Sequence, residues 1–183
     1  MRSFLWVLEK RASHHGDDKA WHRFGRSQNL HKQCIPKVCV PYLTVELAAT
    51  LDESGDFYLD NVHVQGVVFK SAYSEYDMRY LVGLLNSRLL RWYFRRVSLP
   101  FRGNYRAANK QFLDILPFKT IDFENVEERG NYERICSIVT ELLALHQHLA
   151  VSTGHDIDVL NRRILPLKEE MDALVDALYE TAL

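Results

Sequence analysis

The chain has 183 residues, of which 47% are hydrophobic and 11% aromatic, and its formal net charge is −1. This composition predicts one folded core of ordinary domain size and excludes an intrinsically disordered chain. No apolar run reaches the roughly 18 residues that a membrane-spanning helix needs, and the N-terminal sequence lacks the apolar stretch of a signal peptide, so we expect a cytoplasmic protein without a membrane partner. Three cysteines are too few to predict a disulfide framework.

The charge is unevenly distributed along the chain. Residues 1–120 contain 18 Lys and Arg against 11 Asp and Glu, a net charge of +7, whereas residues 121–183 contain 5 against 13, a net charge of −8. The window 78–113 contains eight basic and no acidic residues. This asymmetry predicts a basic module that faces a polyanion and a separate acidic tail. We therefore expect the basic side chains of the window to lack acidic partners within the fold.

Short elements are predicted over the first 70 residues. Residues 3–13 have the apolar spacing of a short helix, and residues 14–20 are a polar loop. Residues 21–25 and 37–45 are rich in β-branched and aromatic residues, which is typical of strands. Residues 52–69 predict a turn at Ser54 and Gly55, followed by one or two half-buried strands.

A long helix is predicted to begin near Met78 and to end before Pro100. Its apolar residues recur at spacings of three and four, which predicts a buried stripe. The stripe comprises Leu81, Val82, Leu85, Leu89, Trp92 and Tyr93. Arg88, Arg91 and Arg95 fall within about 60° of one another on another side of the helix. We expect the helix to be exposed mainly along these arginines.

After Pro100 the sequence predicts a loop that turns at Gly103 and Asn104, and then a short helix from about Ala107 that ends before Pro117. Two longer helices follow. Residues 131–150 are amphipathic, and from Ile157 onward apolar residues alternate at spacings of three and four over three heptads. Pro166 lies within the second of these helices and predicts a kink or an interruption there.

These elements predict an α+β fold. We expect a small mixed, β-rich recognition domain with a long core helix over residues 1–120. An antiparallel helical hairpin over residues 121–183 would follow it, as a spacer, docking or dimerisation element.

Motifs for catalysis are absent from the sequence. It has no glycine-rich phosphate loop, no Gly-x-Ser-x-Gly elbow, no His-Glu-x-x-His helix and no Asn-Pro-Pro-aromatic motif of amino-methyltransferases. His31, Cys34 and Cys39 lack a fourth ligand and the paired Cys-x-x-Cys spacing of a zinc site. We therefore expect no catalytic residue, no metal site and no cofactor in this chain.

Residue types that contact nucleic acid are concentrated in two stretches, residues 24–32 and residues 101–112. Arginine pairs with guanine edges, asparagine and glutamine pair with adenine edges, and lysine or arginine contacts phosphates. The alternative for each stretch is a solvated polar loop, and the arginine row directly upstream of the second stretch favours DNA. The predicted DNA-binding residues are Arg26, Gln28, Asn29, Arg88, Arg91, Arg95, Arg102, Asn104, Tyr105, Arg106, Asn109, Lys110 and Gln111. Arg102 and Arg106 are the first candidates for base or phosphate contacts.

The order of several segments resembles the C-terminal specificity region, or target recognition domain, of Taq-like adenine-specific DNA methyltransferases and of single-chain type IIG restriction–modification enzymes. The segments are WHRFGRSQNL, PKVCVPYLT, ESGDFYLDN, YLVGLLNSRLLRWYFRR, NYRAANKQFLDILPF and MDALVDALYETA. Two features depart from the family pattern. The closing LYETAL lacks the glycine of the usual Leu-Tyr-Gly-Leu, and Pro166 interrupts a helix that relatives keep continuous.

This resemblance implies a non-catalytic domain that holds double-stranded DNA and reads its sequence. A separate catalytic methyltransferase domain, in the same parent chain, would bind S-adenosylmethionine and methylate a flipped adenine, and the parent protein could also cleave DNA. Residues 25–29 and 104–112 would be the DNA-facing segments. Residues 131–181 would pack on the recognition domain or meet another subunit.

A different class of function is compatible with the same charges. The basic face could meet an acidic protein, and the acidic helices with their heptad pattern could form a dimerisation or subunit-docking element. Duplex DNA distinguishes the two classes, because only the DNA-binding class predicts binding that weakens steeply with salt.

Overall fold

The computed structural model describes residues 30–59 and 63–180. Five strands and five α-helices, together with short 3-10 turns at Leu30–Lys32 and Ser71–Tyr73, make up this part of the chain. The strands are β1 (Lys37–Pro41), β2 (Leu43–Thr44), β3 (Thr50–Asp52), β4 (Val64–Val67) and β5 (Arg106–Ala107). The helices are α1 (Met78–Asn86), α2 (Arg88–Val97), α3 (Lys110–Leu113), α4 (Val126–Val151) and α5 (His155–Glu180).

The strands form two small antiparallel sheets. In the first, β1 lies between β3 and β4, with Val38 opposite Leu51 on one side and Val67 on the other. In the second, β2 pairs with β5, with Leu43 opposite Ala107. The predicted strand over residues 37–45 is therefore present, divided at Tyr42 between the two sheets.

The predicted turn at Ser54 and Gly55 is confirmed, and a buried charge holds it. Gly55 has a φ of +75°, a conformation that glycine adopts without the steric cost of a side chain. The Asp52 carboxylate accepts hydrogen bonds from the backbone N–H groups of Gly55 at 3.0 Å, Asp56 at 3.2 Å and Phe57 at 3.1 Å. It also accepts one from Lys37 Nζ, and both ion-pair partners are buried.

Some strand predictions in the segment 52–69 are wrong. One of the half-buried strands expected after the turn is β4, but residues 57–59 have no strand partner and Phe57 is 66% exposed. Four backbone N–H groups from Gly55 to Leu59 bond to the side chains of Asp52 and Gln33 instead of to a neighbouring strand. This side-chain bonding substitutes for a ladder, and a propensity pattern cannot detect it.

The expected long helix from Met78 is two helices that meet at Ser87. Ser87 is fully buried and extended, with φ −69° and ψ 152°, so it ends α1 and caps α2. Its hydroxyl donates to the Leu84 carbonyl at 2.7 Å and accepts from the Leu90 N–H at 3.3 Å. The change of direction moves Leu90 and Phe94 into the core and leaves Trp92 50% exposed, so the placement of Trp92 in the buried stripe was wrong.

The predicted antiparallel hairpin is confirmed in α4 and α5, and it packs directly on α1. Gly83 permits this approach, because a Cβ there would lie 2.5 Å from Ile135 Cγ2 and 3.3 Å from Val139 Cγ2. Helix α5 continues through Pro166 without interruption.

One hydrophobic core includes residues of both sheets, α1, α2 and the hairpin. The α+β class is confirmed, whereas the division at residue 120 stays a prediction. In the helices of the described residues, no segment is long and apolar enough to cross a lipid bilayer.

Candidate nucleic-acid interface

The basic side chains of the window 78–113 separate into paired and unpaired groups. Arg79 pairs with Asp77 and Glu53, Arg88 with Asp176, Arg91 with Glu46, and Lys110 with Asp114. The expectation that these side chains lack acidic partners is therefore wrong for half of the eight. Their partners are distant in sequence or lie just outside the window, which a charge count along the chain cannot show.

The remaining four arginines lie together near the end of α2 and in the loop that follows. Arg95 and Arg102 are exposed, and their side chains make no hydrogen bond or ion pair with the residues that the structure describes. The Arg96 guanidinium lies 3.5 Å from the ring centre of Trp92, a cation–π contact. Arg106 is half-buried and bonds within its own loop. The positive charge without an acidic partner is thus concentrated at one end of α2.

The loop after α2 is a narrow hairpin with an aromatic and basic tip. The Phe101 N–H donates to the Tyr105 carbonyl at 2.8 Å, and Pro100 bridges to Arg106. Gly103 turns the chain with a φ of +69°, so the predicted turn is confirmed. Phe101 is 60% and Tyr105 is 50% exposed. Apolar rings held at the tip of an ordered turn remain available to a partner.

The base of this loop is fixed by three sets of hydrogen bonds. The Arg106 guanidinium donates to the Ser98 carbonyl at 2.6 Å. The Ala108 N–H donates to the Tyr42 carbonyl at 2.7 Å, which continues the β2–β5 pairing. The Asn109 side chain caps α3 by accepting from the Phe112 N–H at 3.4 Å. Arg106 and Asn109 therefore have local partners that support the loop.

The arginine row of α2 lines an open groove of about 540 Å³. Its basic lining residues are Arg88, Arg91, Arg95 and Arg96, and Glu46 and Asp172 are the acidic ones. At the beginning of α2, Asp172 Oδ1 accepts a hydrogen bond from the Arg88 backbone N–H at 2.7 Å, and Asp176 Oδ2 accepts one from the Arg88 guanidinium at 2.8 Å. The acidic residues of α5 thus neutralise the beginning of α2 and leave its end positive.

We name the exposed set at the end of α2 and the loop tip the tip surface. It consists of Trp92, Arg95, Arg96, Phe101, Arg102, Asn104 and Tyr105. Sequence reasoning missed Trp92, Arg96 and Phe101 as members. The cation–π spacing of Trp92 and Arg96, four residues apart on a helix, is the signal that could have identified two of them.

The other predicted residues lie elsewhere. Lys110 and Gln111 are exposed at the start of α3. Arg26, Gln28 and Asn29 fall outside the described residues. Within the described ranges, no group of three or more His, Cys, Asp or Glu side chains could hold a metal ion.

The chemistry of the tip surface fits a polyanion with flat apolar faces. Guanidinium groups without acidic partners attract phosphates, and exposed aromatic rings stack on bases. Asn104 adds an amide that can both donate and accept at a base edge. A protein surface offers acidic side chains but no regular series of phosphates and stacked rings, so nucleic acid is the better match.

Comparison with known proteins agrees with this chemistry. Residues 3–118 match the family model of the TaqI-like C-terminal specificity domain. The chain is also 24% identical over 162 residues to the type II restriction enzyme and methyltransferase RM.Eco57I of Escherichia coli. That alignment covers 87% of this chain and 16% of the relative, so the chain corresponds to a small part of a much longer protein.

The family match spans more than half of the chain and supports DNA recognition as its general role. A specificity domain is the non-catalytic part of such an enzyme. The chain belongs to the family of TaqI-like C-terminal specificity domains.

Proposed function

We propose that this chain recognises a specific double-stranded DNA sequence as the specificity domain of an adenine-specific DNA methyltransferase, of the type IIG restriction–modification kind. The observation that supports this most strongly is the tip surface, where arginines without acidic partners and exposed aromatic rings occur together on the end of α2 and on the loop that follows it. The family match supports DNA recognition as the general role. The tip surface indicates which residues would contact the DNA.

The residues of the tip surface would have different tasks. Arg95 and Arg96, on the last turns of α2, would contact phosphates and fix the register of the domain on the duplex. Arg102 and Asn104 lie on either side of Gly103 at the loop tip and would reach base edges in a groove. Phe101 and Tyr105 flank them and would pack against sugars or unstacked bases.

Arg88, Arg91 and Arg106 would support this surface from behind. Arg91 Nε donates to the Leu47 carbonyl at 3.0 Å, and Arg88 bonds to α5 through Asp172 and Asp176. These contacts orient α2, and the position of α2 sets the position of the loop that follows it. Arg106 secures the base of the loop on Ser98. We therefore assign positioning roles to these three arginines, and phosphate contact to Arg95 and Arg96.

The methylation chemistry would take place in a separate catalytic domain of the parent chain. The relative named above is both a restriction enzyme and a methyltransferase, and this chain covers only 16% of it. S-adenosylmethionine would bind in that domain, where the target adenine would enter after leaving the base stack. On this proposal the parent protein acts in the cytoplasm, where its DNA substrate is found.

Selection from a pool of random DNA duplexes tests the proposal. The chain is immobilised, bound duplexes are recovered at about 50 mM salt, and the recovered pool is sequenced after several rounds. We expect enrichment of one short motif that contains an A·T pair. The variant with Arg102→Ala and Asn104→Ala should lose the motif but retain salt-dependent binding, because its phosphate contacts remain.

Two outcomes of the selection would contradict the proposal. A motif composed only of G·C pairs would exclude adenine as the target base. Recovery of duplexes without any enriched sequence would exclude a specificity role. As a matched control, Arg162→Ala with Asn161→Ala changes an Arg and an Asn on the exposed face of α5, and it should leave the motif unchanged.

A further inference from the structure

A second recess lies next to the arginine-lined groove, with which it shares Arg91 and Asp172, where the hairpin packs against the rest of the domain. Its volume is about 340 Å³, and it opens between the segment before β3, helix α1 and the two hairpin helices. Apolar side chains form most of its wall, with Val82 from α1, Val139 and Leu142 from α4, and Met171 from α5. We name it the hairpin cavity. Its size lies within the range of cavities that hold one small molecule.

Several polar groups of the hairpin cavity already have partners. The Asn86 side chain accepts from the Ala49 N–H at 3.0 Å and donates to the Ala49 carbonyl at 2.8 Å. Asp172 accepts from the Arg88 N–H, and Arg91 bonds to the Leu47 carbonyl. These bonds fix the shape of the cavity rim. Polar contacts with a ligand would therefore come from other side chains of the cavity.

Thr50, Lys168 and His146 are the polar side chains that line the cavity without such partners. Lys168 is half-buried, and none of these side chains makes a hydrogen bond or ion pair with the residues that the structure describes. Partial burial lowers the pKa of His146, and the positive charge of Lys168 lowers it further. The cavity therefore combines apolar walls and the His146 imidazole with two cations, Arg91 and Lys168, and one carboxylate, Asp172, a net charge of +1.

We propose that the hairpin cavity is a binding site for a small amphiphilic anion, a molecule with an apolar body and a single carboxylate. The apolar body would displace water from the walls of Val82, Val139, Leu142 and Met171. The carboxylate would pair with the half-buried Lys168 ammonium and accept a hydrogen bond from the His146 ring. None of these residues belongs to the tip surface.

Octanoate is a suitable probe, because it combines an aliphatic chain with one carboxylate, and octan-1-ol is its neutral counterpart. Titration is followed by isothermal calorimetry and by the methyl resonances of the chain. We expect saturable one-to-one binding of octanoate, with shifts at Val82, Val139, Leu142 and Met171. Octan-1-ol should shift the same methyl groups but bind more weakly.

Charge and shape are then tested by substitution. Lys168→Met keeps the aliphatic stem and should weaken octanoate binding roughly tenfold while leaving octan-1-ol unchanged. Ala48→Leu adds volume at the rim and should weaken both probes. Lys70→Met removes an exposed lysine elsewhere and should change neither. Absence of saturable octanoate binding, methyl shifts outside the cavity, or equal affinity in wild type and Lys168→Met would overturn the proposal.

Discussion

The Arg106 guanidinium donates a 2.6 Å hydrogen bond to the carbonyl oxygen of Ser98, the residue that ends α2. This bond connects the two sides of the loop at its base, so that Arg102, four residues earlier, is held at the tip. The two arginines, similar in sequence context, therefore have different surroundings. Arg106 is half-buried and its side chain is hydrogen-bonded, whereas the Arg102 side chain is exposed and has no partner among the described residues.

The first prediction separates these two arginines. Arg106→Ala removes a charged donor from a part-buried carbonyl, so we expect the free energy of unfolding to fall by about 1–3 kcal/mol and DNA binding to weaken through loss of loop order. Arg102→Ala should leave the free energy of unfolding within about 0.5 kcal/mol of wild type and still weaken DNA binding. Urea unfolding and fluorescence anisotropy with duplex DNA measure the two quantities.

Equal stability of the Arg106→Ala variant and wild type would contradict a supporting role for Arg106. Arg106→Lys provides a further comparison, because it retains the charge but not the planar fork of donors. We expect it to recover only part of the lost stability.

The second prediction concerns the acidic residues of α5. Asp176→Asn releases the Arg88 guanidinium, to which Asp176 Oδ2 is bonded at 2.8 Å. Because Arg88 is then available to phosphates, we expect stronger DNA binding at low salt and a log–log salt slope steeper by up to about 0.9. Stability should change by less than about 1 kcal/mol, since the pair is partly exposed.

Asp158→Asn is the matched control for this measurement. It removes the same charge from an exposed position on the same helix, where Asp158 makes no ion pair with the described residues. If both variants strengthen DNA binding equally, the effect follows from net charge, and a specific release of Arg88 is excluded.

The third prediction uses the buried pair of Lys37 and Asp52. Burial on its own raises the pKa of Asp52, but the hydrogen bonds from Lys37 and from backbone N–H groups outweigh it, and the pKa lies below its ordinary value of 3.8. A carboxylate with a lowered folded-state pKa stabilises the fold above pH 3.8, and this contribution is lost as the pH falls through the lowered value.

Asp52→Asn should therefore reduce the free energy of unfolding by roughly 3–5 kcal/mol at pH 7, because it leaves the buried Lys37 charge without a charged partner. The difference between wild type and variant should shrink as the pH falls below about 4. Urea unfolding of both proteins at pH 7 and at successively lower pH measures it. A difference that stays constant over this range would exclude the ionised Asp52 as its source.

The fourth prediction tests the packing of the hairpin on α1. Gly83→Ala places a methyl group 2.5 Å from Ile135 Cγ2, so we expect a loss of about 1–2 kcal/mol in spite of the better helix propensity of alanine. Gly130→Ala is the control, because Gly130 lies in α4 and, apart from its chain neighbours and the backbone of its own helix, nothing lies within 4 Å of the added Cβ. It should raise stability by roughly 0.5–1 kcal/mol. A Gly83→Ala variant as stable as wild type would contradict this packing.

The helical part of the fold could be predicted best from the sequence. The hairpin followed from apolar spacings that repeat over many turns. The short helix before Pro117 is present as α3, but its predicted start at about Ala107 was wrong, because Arg106 and Ala107 pair with β2 as a strand. The break at Ser87 could not be predicted, because a serine within an apolar pattern becomes a cap only when its hydroxyl is buried next to the Leu84 carbonyl and the Leu90 N–H. Burial in the folded structure therefore determines whether Ser87 continues a helix or ends one.

Only part of the tip surface could be predicted, because tertiary contacts also decide which arginines are paired. The sequence located Arg95, Arg102, Asn104 and Tyr105, which the structure leaves exposed. It could not distinguish them from Arg88, whose partner Asp176 lies 88 residues away. Ion pairing across that separation depends on how α5 packs on α2, and charge counted along the chain does not contain this information. A DNA contact for each individual residue stays a prediction.

The salt dependence of DNA binding tests the role of the tip surface most directly. If the chain neutralises about five phosphates, the log–log slope of affinity against salt is roughly −4.5 for wild type. The triple variant Arg95→Ala, Arg96→Ala, Arg102→Ala should have a slope shallower by about 1.8, because Arg95 and Arg96 are the proposed phosphate contacts. The variant Arg129→Ala, Arg162→Ala, Arg163→Ala removes three exposed arginines of the hairpin and should retain the wild-type slope. Equal slopes in the two triple variants would show that DNA does not bind at the tip surface.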